Sequence, residues 1–113
     1  MNIECHCGNI KIKADYSPKE LTICNCSICR RYNSLWGYYQ PPEVDVDIGE
    51  SGSSSYLWND KCIEFVHCNR CGCITHYQTL PGDSSPRIAI NFRMANLDEI
   101  QGIHIRHFNG ADM

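Results

Sequence analysis

Cys5-His6-Cys7-Gly8-Asn9-Ile10-Lys11-Ile12-Lys13-Ala14 sets two cysteines one residue apart, then a glycine, then a run in which apolar and charged residues alternate. Ile10, Ile12 and Ala14 share one face and Lys11 and Lys13 the other, which predicts a half-buried β-strand. The same period returns at residues 44–48, 88–92 and 103–107, and less regularly at 34–39, 54–58, 63–67 and 75–78. Turn clusters separate these runs: Ser17-Pro18, Pro41-Pro42, Gly49 to Ser53, and Pro81 to Pro86. Helical turns are expected only at residues 27–32 and 95–100, the second with Asn96 as its cap. The pattern is that of an all-β fold with small helical insertions, and 113 residues suit a single domain spanning 1–113.

Nine cysteines are the unusual feature of the composition. No apolar run near Met1 resembles a signal peptide, so a reducing, cytoplasmic setting is expected, where structural disulfides are rare. The count is odd, and a disulfide framework would leave one thiol over. The cysteines also cluster as Cys5/Cys7, Cys24/Cys26/Cys29 and Cys68/Cys71/Cys73, spacings that strain a disulfide but let several sulfurs converge on one ion. Metal is therefore the expected partner of these thiols. Seven thiolates around two divalent ions would lower the formal charge of −3 by three, to about −6. An acidic protein gains nothing electrostatically from nucleic acid or an anionic membrane. No segment approaches the roughly 20 apolar residues of a membrane span.

Cys68-Asn69-Arg70-Cys71-Gly72 is the strongest single motif. Two thiolates three positions apart reach one ion from a tight turn, and the following glycine permits the positive φ that aims backbone N–H groups at sulfur. Structural Zn²⁺ takes four ligands, and Cys5 and Cys7 complete the set. Cys24-Asn25-Cys26-Ser27-Ile28-Cys29 supplies three sulfurs, followed by Arg30 and Arg31, which could clamp a substrate carboxylate. Three ligands and a vacancy suit a catalytic zinc; a second closed site, with Cys62, Cys73 or His76 as fourth ligand, is the alternative. Cys62 is otherwise expected in the core, and His6 and His67 could hydrogen-bond to ligand sulfurs. His76, His104 and His107 have no ligand spacing and read as plain strand residues.

Taken together these motifs resemble the family of glutathione-dependent formaldehyde-activating enzymes, which includes centromere protein V. The Cys5-x-Cys7-Gly8, Cys24-x-Cys26-Ser27-x-Cys29-Arg30 and Cys68-x-x-Cys71-Gly72 groups carry the likeness, supported by Ile90-Asn91-Phe92-Arg93 and the tail from Ile105 to Gly110. The resemblance implies a β-tent of stacked antiparallel sheets with zinc-binding loops. It also implies two zinc ions per chain: a structural one on Cys5, Cys7, Cys68 and Cys71, a catalytic one on Cys24, Cys26 and Cys29. The implied activity is that of a carbon–sulfur lyase joining glutathione thiol to formaldehyde. Asn25 stands where the family commonly has His, and Cys73 where a small residue is usual. A non-catalytic zinc module that binds a protein, and a zinc store or redox sensor, are the competing functional classes.

Overall fold

The computed structural model describes residues 1–58 and 62–112. Among these residues ten strands form two sheets. Asn2–Glu4 (β1), Ile10–Ala14 (β2) and Val44–Ile48 (β5) make a three-stranded sheet in the order β1-β2-β5. Glu20–Cys24 (β3), Trp36–Tyr39 (β4), Ser53–Trp58 (β6), Ile63–Cys68 (β7), Ile74–Thr79 (β8), Ile88–Asn91 (β9) and His104–Phe108 (β10) make a seven-stranded one, ordered β10-β3-β4-β9-β8-β7-β6. Cys29–Tyr32 (α1) and Leu97–Ile100 (α2) are single helical turns. The expected stack of antiparallel sheets is present with one exception, β3 and β10, which run parallel. A long crossover rather than a hairpin joins those two strands, so no tight turn dictates their sense.

Alternation built the small sheet: Ile10, Ile12 and Ala14 turn inward while Lys11 and Lys13 stay exposed. With Ile3 they pack on Leu21, Tyr39, Ile88, Ile90 and Phe92, and this main core fills the space between the sheets. Phe92 presses so closely on β4 that a Cβ at Gly37 would stand 2.5 Å from its ring. The large sheet is buried on part of its outer face as well. There Trp36, Phe65, Tyr77, Ala89 and Cys29 form a second cluster, flanked by Tyr32, Tyr38 and Ile28. The segment between β3 and β4, which holds the middle cysteines, folds over this outer face.

Two strands escaped the periodic reading. In β3 Leu21 and Thr22 are consecutive buried residues, because both faces of that strand are covered. β1 has only three residues, too few to display a period. The run at 88–92 ends one residue early: the Asn91 side chain accepts the Arg93 N–H and turns Phe92–Met94 into a 3₁₀ turn. At α2 the Glu99 carboxylate accepts the Asn96 N–H at 3.1 Å, as a capping box requires.

His76 on β8 is 2% exposed and shares a 2.9 Å hydrogen bond between its Nδ1 and Thr75 Oγ1. Burial pushes its pKa down to about 4, against a small opposing pull from Glu64. Its folded-state pKa lies below the unfolded value, so its contribution to stability is complete above about pH 6.5 and is lost as pH falls toward 4. The loss is worth roughly 3 kcal/mol. Urea unfolding at stepped pH is expected to show a shallower acid slope for His76→Gln than for wild type. Parallel slopes would contradict this account.

Candidate metal centres

The two knuckles that carry Cys5/Cys7 and Cys68/Cys71 are built alike. The Cys5 N–H donates to the Ile10 carbonyl at 3.0 Å, and the Cys68 N–H to the Cys73 carbonyl at 3.1 Å. Gly8 (φ +81°) and Gly72 (φ +79°) take the left-handed conformation that closes each turn. Each knuckle thereby aims backbone donors at sulfur: Ile10 N–H at Cys5 Sγ (3.3 Å), and Arg70 N–H (3.3 Å) and Cys71 N–H (3.5 Å) at Cys68 Sγ. Asn9 adds its amide to Cys68 Sγ at 3.4 Å. Among the described residues Asn9, and neither His6 nor His67, is the side-chain donor to these sulfurs.

The four sulfurs converge. Cys5 Sγ and Cys7 Sγ are 3.7 Å apart, Cys7 Sγ and Cys68 Sγ 3.5 Å, and all four of Cys5, Cys7, Cys68 and Cys71 lie within 4.8 Å of one another. A Zn–S bond of 2.3 Å places tetrahedral sulfurs about 3.8 Å apart, so the cluster fits such an ion. No disulfide joins these cysteines. The backbone N–H of Cys71, ahead of the other donors, brings the Cys68 thiol down to about 7 despite desolvation. Desolvation pushes Cys71 up, but the N–H groups of Cys73 and Cys7 and neighbouring thiols outweigh it and bring Cys71 to about 6. Cys7 goes the other way, to about 11: the Asn9 N–H lowers it, while desolvation and the adjoining sulfurs raise it further. Backbone donors thus favour the thiolate form of two of the four.

The middle cluster has three members. Cys24, Cys26 and Cys29 also lie within 4.8 Å of one another, and no fourth His, Cys, Asp or Glu joins them among the described residues. Cys73 lies instead beside Cys71, with its thiol directed at that sulfur. Cys62 is exposed at the entrance to β7, with its carbonyl accepting from Leu80 N–H at 3.2 Å, which corrects the expectation of a core thiol. His76 packs toward Val46, Val66 and Ser54, on the other side of β8 from the aromatic cluster. Within the triad the Cys26 N–H points at Cys24 Sγ and the Cys29 N–H at Cys26 Sγ, both at 3.5 Å. Desolvation raises Cys26, yet the Cys29 N–H and the flanking thiols leave it below the ordinary thiol value. Burial drives Cys29 well above it, although Trp36 Nε1 donates to Cys29 Sγ at 3.4 Å. Arg30 and Arg31 are exposed on α1, and Arg31 Nη1 is tied to the Ser27 carbonyl at 2.6 Å.

The far end of the chain closes one side of this triad, a feature that spacing alone did not reveal. Asn25 Nδ2 donates to Asn109 Oδ1 at 2.8 Å, and Asn25 Oδ1 accepts the Ala111 N–H at 2.9 Å. A Cβ at Gly110 would stand 2.6 Å from Cys24 Sγ and 3.2 Å from Cys26 Cβ. Gly110→Ala therefore forces the tail and the Cys24 sulfur apart, and the middle site is expected to lose about 10–100-fold in metal affinity, the range typical of damaged ligand support. Competition with a chromophoric chelator measures this. Unchanged affinity would show that the tail has no such hold.

A solved structure of a Rhodobacter sphaeroides protein is 21% identical and superposes with a TM-score of 0.73, covering 93% of this chain and 99% of that one. At that identity it speaks for the fold alone. A search of curated proteins finds no match. The family model described as glutathione-dependent formaldehyde-activating enzyme matches residues 1–106, nearly the whole chain and both cysteine clusters. This chain therefore belongs to the glutathione-dependent formaldehyde-activating enzyme family.

Proposed function

We propose that this protein is a zinc-dependent enzyme of carbon–sulfur lyase type, acting on the adduct between a small thiol such as glutathione and an aldehyde such as formaldehyde. The observation that carries the reading is the three-sulfur cluster without a fourth protein ligand among the described residues, beside a four-sulfur cluster that is complete. In this reading Cys5, Cys7, Cys68 and Cys71 hold a structural zinc, and Cys24, Cys26 and Cys29 a catalytic one. A zinc ion with one open position supplies Lewis acidity and keeps a thiol ionised at neutral pH. The protein's own residues do the rest. The N–H groups of Cys26 and Cys29 hold the triad's negative charge, Trp36 fixes Cys29, and the Asn25–Asn109 bond holds the loop. Arg30 and Arg31 on α1 add positive charge beside the triad. In the reaction the thiol S–H adds across C=O: an S–C bond forms, the carbonyl π bond breaks, and the thiol proton ends on oxygen, with no net oxidation.

We place the enzyme in the cytoplasm as one domain over 1–113, with a small thiol rather than nucleic acid or membrane as its partner. No helix among the described residues is long and apolar enough to cross a membrane. Exchange NMR on glutathione–formaldehyde mixtures tests the activity: zinc-loaded protein is expected to accelerate interconversion of free thiol and S-hydroxymethyl adduct. An unaltered exchange rate would overturn the reading. Exposed Tyr56, Leu57 and Trp58 on edge strand β6 favour a second reading, a non-catalytic zinc module that binds a protein. X-ray absorption separates the two, since four sulfurs at both metals would favour the module.

A further inference from the structure

The outer face that carries the triad continues across the large sheet as a row of aromatic rings and ends at a cation. Trp36, bonded to Cys29 Sγ, meets the Tyr77 ring edge-on at 4.9 Å between centroids. Beyond Tyr77 lies Arg87, whose Cζ is 5.7 Å from that ring and 4.5 Å from the ring of Tyr38. The Arg87 backbone is fixed at the start of β9: its N–H donates to Thr79 Oγ1 at 3.0 Å and its carbonyl accepts the Thr79 N–H at 3.0 Å. The Tyr38 and Tyr77 rings themselves meet edge-on at 6.4 Å between centroids, Tyr77 buried and Tyr38 half-buried.

Ring contact and charge pairing together set Arg87 apart: among the described residues Arg87 and Arg106 are the cations over aromatic rings, while Arg30 on α1, also without an ion pair, lies over none. Arg106 shares Glu20 at 3.5 Å, and Arg31 is spent on the Ser27 carbonyl. Among the described residues the ion pairs are Lys11–Glu4, His104–Glu20 and Arg106–Glu20, so no carboxylate meets Arg87. A guanidinium held over aromatic rings keeps its charge and its fork of N–H donors for a planar anion, which a carboxylate matches with two parallel bonds. The spacing also suits a peptide. One ring-to-ring step of 4.9 Å and one ring-to-cation step of 5.7 Å lead from Trp36, which touches the triad, to Arg87, and an extended ligand of two or three residues covers about 3.3–3.6 Å per residue.

We infer that Arg87, held over the rings of Tyr38 and Tyr77, forms a carboxylate-binding subsite that selects a thiol borne on a short acidic peptide over a small uncharged thiol. The inference rests on the reading of the triad as the place where the thiol reacts. It assigns the selecting cation to Arg87, the residue before β9, rather than to Arg30 or Arg31 on α1.

The test compares glutathione with 2-mercaptoethanol on zinc-loaded wild type, Arg87→Ala and Arg87→Lys. The ratio of kcat/KM for glutathione over 2-mercaptoethanol is expected to fall tenfold or more in Arg87→Ala, the worth of a charged hydrogen bond, and by less in Arg87→Lys. A ratio that stays put, or falls only when Arg30 or Arg31 is replaced, overturns the assignment. Calorimetry distinguishes this failure from failure of the enzyme reading. If wild type accelerates neither thiol, glutathione binding is still expected to weaken at least tenfold in Arg87→Ala, and likewise when the glutathione carboxylates are esterified. Equal binding by wild type and Arg87→Ala would sink the subsite whatever the activity.

Discussion

Cys68→Ser is expected to abolish cooperative unfolding. Cys68 is fully buried, and its sulfur takes donors from Asn9, Arg70 and Cys71 while touching Cys7 Sγ at 3.5 Å. It belongs at once to the four-sulfur cluster and to the main core between the sheets. Cys5 and Cys7 bring the start of the chain to this point, so the cluster ties the small sheet to the β7–β8 turn. Structural zinc sites in small metal-folded peptides are worth about 10–16 kcal/mol, against about 5–15 kcal/mol for the whole stability of a typical domain. A chain of this length has little apolar area with which to absorb such a loss. Circular dichroism with urea should replace a sigmoidal transition by a sloping baseline, and a strong chelator should do the same to wild type. A Cys68→Ser protein that unfolds cooperatively with a midpoint near wild type would refute the structural role.

Cys26→Ser is expected to have the opposite profile, with the fold kept and the chemistry lost. Cys26 is only half-buried, on a loop over the outer face of the large sheet, and the main core does not include it. Its sulfur accepts the Cys29 N–H and has the lowered pKa of the triad, so serine removes the most readily ionised ligand of the three. Native mass spectrometry should find one metal fewer per chain, with an unfolding midpoint close to wild type. Adduct exchange should fall at least about thirtyfold, because a thiol of pKa near 8.5 is only about 3% ionised at pH 7 when nothing holds it as thiolate. Equal rates for Cys26→Ser and wild type would end the enzyme reading. Unfolding of Cys26→Ser would instead mean that the triad is as structural as the other cluster.

Much of this architecture is written locally. Period-two alternation specified β2 residue for residue, since a half-buried strand must sort its side chains between core and water; in β5 it held for Val44 to Asp47 but not for Ile48, which is exposed at the sheet edge. Cysteine spacing and the glycines after Cys7 and Cys71 specified the knuckles, because a backbone at positive φ is what turns N–H groups toward sulfur. The likeness of these groups to a known family reached the same partition of seven cysteines that the folded chain displays.

What local pattern could not supply was anything set by which strands meet. β3 hides from periodicity because it is covered on both faces, and its parallel match with β10 joins segments that no hairpin links. That pairing carries Gly110 to within contact of Cys24, and Asn109 to Asn25, so the tail becomes a wall of the middle cluster. The approach of Arg87 to Tyr38 and Tyr77 depends likewise on β9 lying between β4 and β8. Ligand identity and spacing are properties of short peptides, and the amino-acid order alone determined them. The wall the tail lends the triad and the cation at the end of the aromatic row are properties of a surface assembled from distant strands, and only tertiary packing decided them.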